Sequence, residues 1–430
     1  MVKTRQAIPG FVFHEHEFEV PLDHADPDGT KITVFAREVT TPGKEGADLP
    51  WLVFLQGGPG FAAPRPVEPS GWVAFAAERF RVLLLDQRGT GRSTPVSGEG
   101  LERFEAPEDQ AAYLTHFRAD SIVADAEHVR RELLGDEGKW TLLGQSYGGF
   151  CALHYLSAAP EGLARVLITG GVPGLDAHAD DVYRLTYGRL IEKNRAYYER
   201  YPGDVERVRE VAALIEANEV QLPGGDRLSV RAFQQLGISF GMSDGYERLH
   251  YLLESAFSDG REGRRLAYSF LRGVEEYLAF STNPIYAILH EHCYTQGSAS
   301  NWSAERVRAE FSDFDAQREG PLFFTGEMVY PWMFEENRIL AGMREAAQIL
   351  ARKQDWPRLY DAERLARNEV PIAAAVYHDD AYVPRELSLE TAGRVPGLHV
   401  WITNEYEHNG LRADGSRILE RLLALAEGEA

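Results

Sequence analysis

The chain has 430 residues, 44% of them hydrophobic, and a formal charge of -21 at pH 7. That length and apolar content support one large core with room for a second, smaller unit, while no stretch approaches the roughly 20 apolar residues that cross a bilayer. So acidic a chain opposes non-specific nucleic-acid binding, which needs a basic footprint; neither a nucleic-acid nor a membrane partner is expected.

Val2-Lys3-Thr4-Arg5-Gln6 leads into charged sequence instead of the apolar core of a signal peptide, so a cytoplasmic location is expected. Cys151 and Cys293 are its two cysteines, and Cys151 falls in an apolar helical run. A disulfide framework or cysteine-based metal site is not expected.

In chain order, residues 17–20 and 31–36 read as an opening hairpin, with Pro27-Asp28-Gly29 as turn chemistry between them. Short apolar runs at 51–55, 81–85, 140–143 and 164–169 suit buried parallel strands, and 121–134 has helical periodicity. Strands alternating with helices imply a parallel sheet covered on both faces. After Gly170-Gly171-Val172-Pro173-Gly174 the pattern turns helical, rich in tyrosine and charge, with no convincing buried strand. Strand signals return at 371–377 and 398–402, before an amphipathic helix at 416–426. The expected organisation is an α/β core in two parts, 1–174 and 362–430, with 175–361 inserted as a helical cap.

Gly144-Gln145-Ser146-Tyr147-Gly148 joins the third apolar strand to the helical run that begins at Phe150. A serine on a sharp strand-to-helix turn needs flanking residues without Cβ, so that strand and helix approach closely. The pentapeptide resembles the nucleophile elbow of α/β-hydrolases, with Ser146 as the candidate nucleophile; the bland alternative is a glycine-rich turn with a helix N-cap serine.

A serine hydroxyl needs a histidine to accept its proton and a carboxylate to orient that histidine. In the α/β-hydrolase order the acid and then the histidine follow the serine. His399 lies inside the apolar run 398–402 and reads as a core or strand residue, whereas His408 lies beyond it in the polar loop 404–410. His408 is therefore the candidate base. Asp379 and Asp380 follow the strand at 371–377; Asp380 is favoured because it precedes Pro384 by four positions, an arrangement frequent after this strand in α/β-hydrolases. Gln56-Gly57-Gly58-Pro59-Gly60, at the end of the first buried strand, offers an oxyanion loop, with the amides of Gly58 and Tyr147 as the expected donors.

Together with Asp86-Gln87-Arg88-Gly89-Thr90-Gly91-Arg92-Ser93, these segments resemble the prolyl aminopeptidases, or proline iminopeptidases. Gln56 stands where a histidine is common before the glycine pair, and Gln145 and Tyr147 stand where many members have glycine and tryptophan. The resemblance implies short peptides with N-terminal proline as substrates, cap glutamates that bind the substrate ammonium, and a structural role for Arg88 and Arg92. Glu291 and Glu327 are the candidate glutamates, and Tyr286, Tyr330 and Trp332 candidate apolar walls. No cofactor is expected. His14-Glu15-His16 and His290-Glu291-His292 lack metalloprotease spacing, so no metal site is expected, and no Walker loop or dinucleotide-binding pattern is present. The competing readings are an esterase, an aminopeptidase of other preference (including tripeptide-releasing), and a non-catalytic binding protein on a hydrolase scaffold.

Overall fold

The computed structural model describes residues 2–260, 263–278 and 280–429. Strands β1 (Val2–Ile8), β2 (Phe11–Pro21) and β3 (Lys31–Thr40) form an antiparallel meander. The expected opening hairpin is thus β2–β3, extended in both directions, with β1 as an additional outer strand. β3 pairs antiparallel with β5 (Arg81–Leu85), and β5 pairs parallel with β4 (Trp51–Leu55). From β4 the sheet continues in parallel through β6 (Trp140–Gln145), β7 (Leu163–Thr169), β10 (Ile372–Tyr377) and β11 (Leu398–Thr403).

The central strands are continuous apolar runs because helices cover both faces, leaving no solvent side for polar residues to occupy. On one face the closing helix Gly415–Glu427 sets Ile418, Leu419 and Leu422 against Trp72 and Val73 of helix Gly71–Ala77. Each fully buried side chain of this kind contributes about 1.5–3 kcal/mol. Helices Ala119–Leu134 and Tyr147–Ala158 cover the other face through Ile122, Val123, Ala126 and Leu153. β11 lies at the sheet edge, and its His399 is exposed. That residue belongs to the strand but not to the core, because an edge strand has one flank open.

β7 and β10 are neighbours in the sheet although some two hundred residues separate them in sequence. The intervening chain is mainly helical, led by Ala179–Arg200, with a short antiparallel pair of β8 (Phe257–Gly260) and β9 (Gly263–Leu266). This hairpin escaped the sequence reading because its strands are short, polar and poorly buried. Among the described residues, no helix is long and apolar enough to cross a membrane.

Candidate active site

At the end of β6 the backbone turns abruptly through Ser146, whose φ of 53° and ψ of -122° lie outside the regions an L-residue prefers. The turn is held by its neighbours. The Ser146 amide donates to the Thr169 carbonyl at 2.9 Å, and the Gly149 amide donates to the Ser146 carbonyl at 2.7 Å. A Cβ at Gly148 would lie 2.0 Å from the Leu55 carbonyl oxygen, and one at Gly144 would lie 2.4 Å from the Gly148 oxygen. These contacts explain the glycines: strand and helix pass too closely for any side chain.

His408 reaches the same end of the sheet from the loop after β11. Its Nδ1 is 2.8 Å from Asp380 Oδ2, its amide donates to the Gly241 carbonyl at 3.0 Å, and Tyr382 packs edge-on against its ring at 4.7 Å. Asp380 in turn accepts from the amides of Tyr382 at 2.8 Å and Val383 at 3.0 Å. Burial on its own pushes the imidazole pKa down; the charge and hydrogen bond of Asp380, with the further charges of Glu327 and Glu407, outweigh it and push the pKa up. Asp379 instead lies toward the surface, 3.4 Å from Arg189.

The loop after β4 crosses the elbow. A Cβ at Gly57 would lie 2.9 Å from Ser146 Cβ, and Gly58 sits at φ +130°, where a side chain is strained. Asp86 anchors this loop by accepting from the Ala63 amide at 3.1 Å and Arg65 at 2.8 Å, and it also accepts from the Arg92 amide at 2.9 Å. Arg88 is buried, bonded to Asp125 at 2.6 Å and to the carbonyls of Leu22 and His116 at 2.7 and 2.8 Å. Arg92 pairs with Glu15 at 2.8 Å and Glu17 at 3.0 Å. Both arginines act as loop anchors.

A cavity of about 310 Å³ opens over the serine, lined by Gly57, Gly58, Ser146 and His408 from the core and by Tyr286 and Glu327 from the inserted segment. The Tyr286 hydroxyl donates to Glu327 Oε1 at 2.6 Å, while its ring packs edge-on to Phe61 and stacks on Phe280. The helix Pro284–Leu289 that carries Tyr286 docks on the glycine loops, so closely that a Cβ at Gly60 would lie 2.8 Å from the Tyr286 nitrogen. A carboxylate thus stands in a largely apolar, aromatic chamber beside a strained serine and a carboxylate-bound histidine. Such a set can acylate the serine while fixing a cationic group of the substrate.

The α/β hydrolase fold family model matches residues 50–218. A proline iminopeptidase of Aeromonas sobria is 50% identical over 419 residues, covering 97% of both chains. The proline iminopeptidase aneH of Aspergillus aculeatus is 35% identical over 419 residues, 96% of this chain and 93% of its own. The chain belongs to the proline iminopeptidase family. A member from Neisseria meningitidis is 34% identical over 119 residues, which cover 28% of this chain and 32% of its own.

Glu291, Tyr330 and Trp332 lie elsewhere. The Glu291 carboxylate is buried and accepts the amides of Ser303 at 3.1 Å and Ala304 at 2.8 Å, at the start of helix Ser303–Arg308. It is not among the residues lining the serine cavity. Burial pushes its pKa up to about 7, against the lowering effect of those two amides. The Tyr330 hydroxyl is bonded to that of Tyr187 at 2.8 Å, and Trp332 stacks on Tyr330 and lines a separate cleft. Phe61, Ile238, Met242, Phe280 and Tyr382 do line the cavity and were not singled out from sequence. Ile238 and Met242 arrive with the 3-10 segment Gln235–Gly241, and no local pattern marks that segment as facing a site.

Proposed function

We propose that this chain is a serine exopeptidase that releases N-terminal proline from short peptides through an acyl-enzyme, with residues 175–361 forming the cap over the site. One observation carries this reading: the cavity that contains Ser146 and His408 also contains Glu327. A carboxylate in an aromatic chamber suits the secondary ammonium of an N-terminal proline, and an internal peptide bond offers no such charge. The names of the two full-length relatives agree with it.

In this scheme His408 Nε2 takes the Ser146 Oγ proton as Oγ attacks the prolyl carbonyl. Asp380 holds the opposite ring nitrogen, fixing tautomer and orientation and stabilising the imidazolium. The amides of Gly58 and Tyr147 receive the oxyanion. The proton then passes to the departing amine, and water repeats the sequence to release proline. Hydrolysis rates for a panel of aminoacyl 4-nitroanilides and simple neutral esters test the assignment. Preference for the prolyl amide supports it; fast ester turnover with no prolyl preference identifies a broad esterase instead.

A further inference from the structure

Two clefts meet at the candidate base. Besides the serine cavity, a second cleft of about 550 Å³ is lined by Pro64, Pro66, Val67, Trp72 and Leu411, and it shares Gln56, Gln145, Met242 and His408 with the first. Glu327 lines only the serine cavity. We propose that this second cleft binds the residue that follows the scissile bond and favours an apolar side chain there. The substrate then lies with its prolyl ammonium at Glu327 and its leaving peptide running past His408 over the 64–73 segment. The inference rests on the peptidase reading above.

The direction follows from the chemistry. As the Ser146 Oγ–carbon bond forms and the carbon–nitrogen bond breaks, the proton taken by His408 goes to the departing nitrogen. The leaving chain must therefore lie on the histidine side. A third cleft, about 690 Å³ in volume and lined by Trp332, Arg338 and Ile339, touches the serine cavity at Phe280 but contains neither Ser146 nor His408. It gives the departing nitrogen no access to the proton donor.

The preference follows from the cleft's charges and apolar surface. Its two arginines are already paired: Arg65 with the buried Asp86, and Arg412 with Asp244 at 3.0 Å. What remains for recognition is the apolar surface, including Val67, which is 85% exposed, and the exposed Glu68 carboxylate, which disfavours an acidic side chain there. At the junction, the Gln56 and Gln145 side chains have no hydrogen-bond partner among the described residues. A carboxamide offers both donor and acceptor, which matches a peptide backbone entering the cleft. An apolar side chain seated there excludes water from Val67 and Trp72.

The test compares kcat/KM for prolinamide, Pro-Leu-Gly and Pro-Asp-Gly in the wild type, Val67→Asp and Ile339→Asp. Both substituted side chains are exposed, at 85% and 38%, and unchanged melting temperatures verify folding. The wild type should prefer Pro-Leu-Gly to Pro-Asp-Gly. Val67→Asp should lower kcat/KM for Pro-Leu-Gly about fivefold while leaving prolinamide within about twofold. Ile339→Asp should alter neither ratio. The proposal is overturned if Val67→Asp leaves the peptide-to-amide ratio unchanged, or if Ile339→Asp moves it instead. Should the wild type prefer another N-terminal residue, the proline reading fails separately, and the same comparison with that residue decides the cleft.

Discussion

The Tyr286 hydroxyl donates a 2.6 Å hydrogen bond to Glu327 Oε1, joining the helix docked on the glycine loop after β4 to the carboxylate of the serine cavity. That bond holds Glu327 in place before substrate arrives. Tyr286→Phe keeps the ring contacts but releases the carboxylate, so KM for a prolyl amide should rise about threefold to tenfold with kcat little changed, given the strength of a hydrogen bond to a charged group. An unchanged KM would show that Glu327 needs no such anchor.

Ser146→Ala should lower turnover by about 10⁴-fold or more while the protein still folds. The backbone at Ser146 retains its strained φ of 53° in that variant. Ser146→Gly should be equally inactive but more stable than Ser146→Ala by about 1 kcal/mol, because glycine adopts this conformation without a Cβ penalty. Paired denaturation curves measure the difference; equal stability would mean that the turn carries no strain.

With His408 as the proposed base, its raised pKa should set the acid side of the rate profile. The base form is the active one, so kcat/KM should rise with pH through an apparent pKa above the ordinary histidine value of about 6.5. Asp380→Asn removes the largest raising influence, and should shift that limb to lower pH and cut the rate by orders of magnitude. Asp379→Asn should do neither, because Asp379 faces Arg189. Loss of activity in Asp379→Asn alone would reverse the choice of acid. The same shift gives a stability term of definite sign: charged His408 favours the fold below the unfolded pKa, and that contribution is lost as pH rises through the folded one.

Glu291 accepts two amides at a helix start and does not line the serine cavity, so its substitution should affect stability more than substrate. Burial pushes its carboxyl up to about 7, above the ordinary value of 4.5, so the unfolded chain holds fewer protons at this site between those values. The Glu291 contribution to stability should therefore fall across that interval as pH rises. Glu291→Gln should remove that contribution, so the difference in stability between variant and wild type changes with pH across this interval, while kcat/KM for a prolyl amide stays near the wild-type value. A large, selective loss on the amide would return Glu291 to the binding site.

Much of the core was legible because its signals are local. Parallel strands covered on both faces must be apolar throughout, which marks 51–55, 81–85 and 371–377 in the sequence, the last within a residue of the observed strand, and the Gly144–Gly148 spacing reflects clashes a few residues away and at Leu55. The inserted segment was not legible to the same degree. Glu291 and Glu327 look alike as sequence, since each follows a plausible apolar stretch. Only the packing shows that one accepts amides at a helix start and the other faces the serine cavity. Nothing local marks Val67 either; its place in a cleft that His408 also lines depends on how the loop after β4 folds.

The central claim is that Glu327 reads the substrate ammonium while Ser146, His408 and Asp380 perform acyl transfer, and Glu327→Gln separates the two tasks. In the correctly folded variant, kcat/KM for proline 4-nitroanilide should fall by about tenfold or more, as a charge-assisted bond contributes about 1.5–3 kcal/mol. Hydrolysis of a neutral ester accepted by the same serine should change little. Equal small effects on both substrates would contradict the account and leave Glu327 as a structural partner of Tyr286.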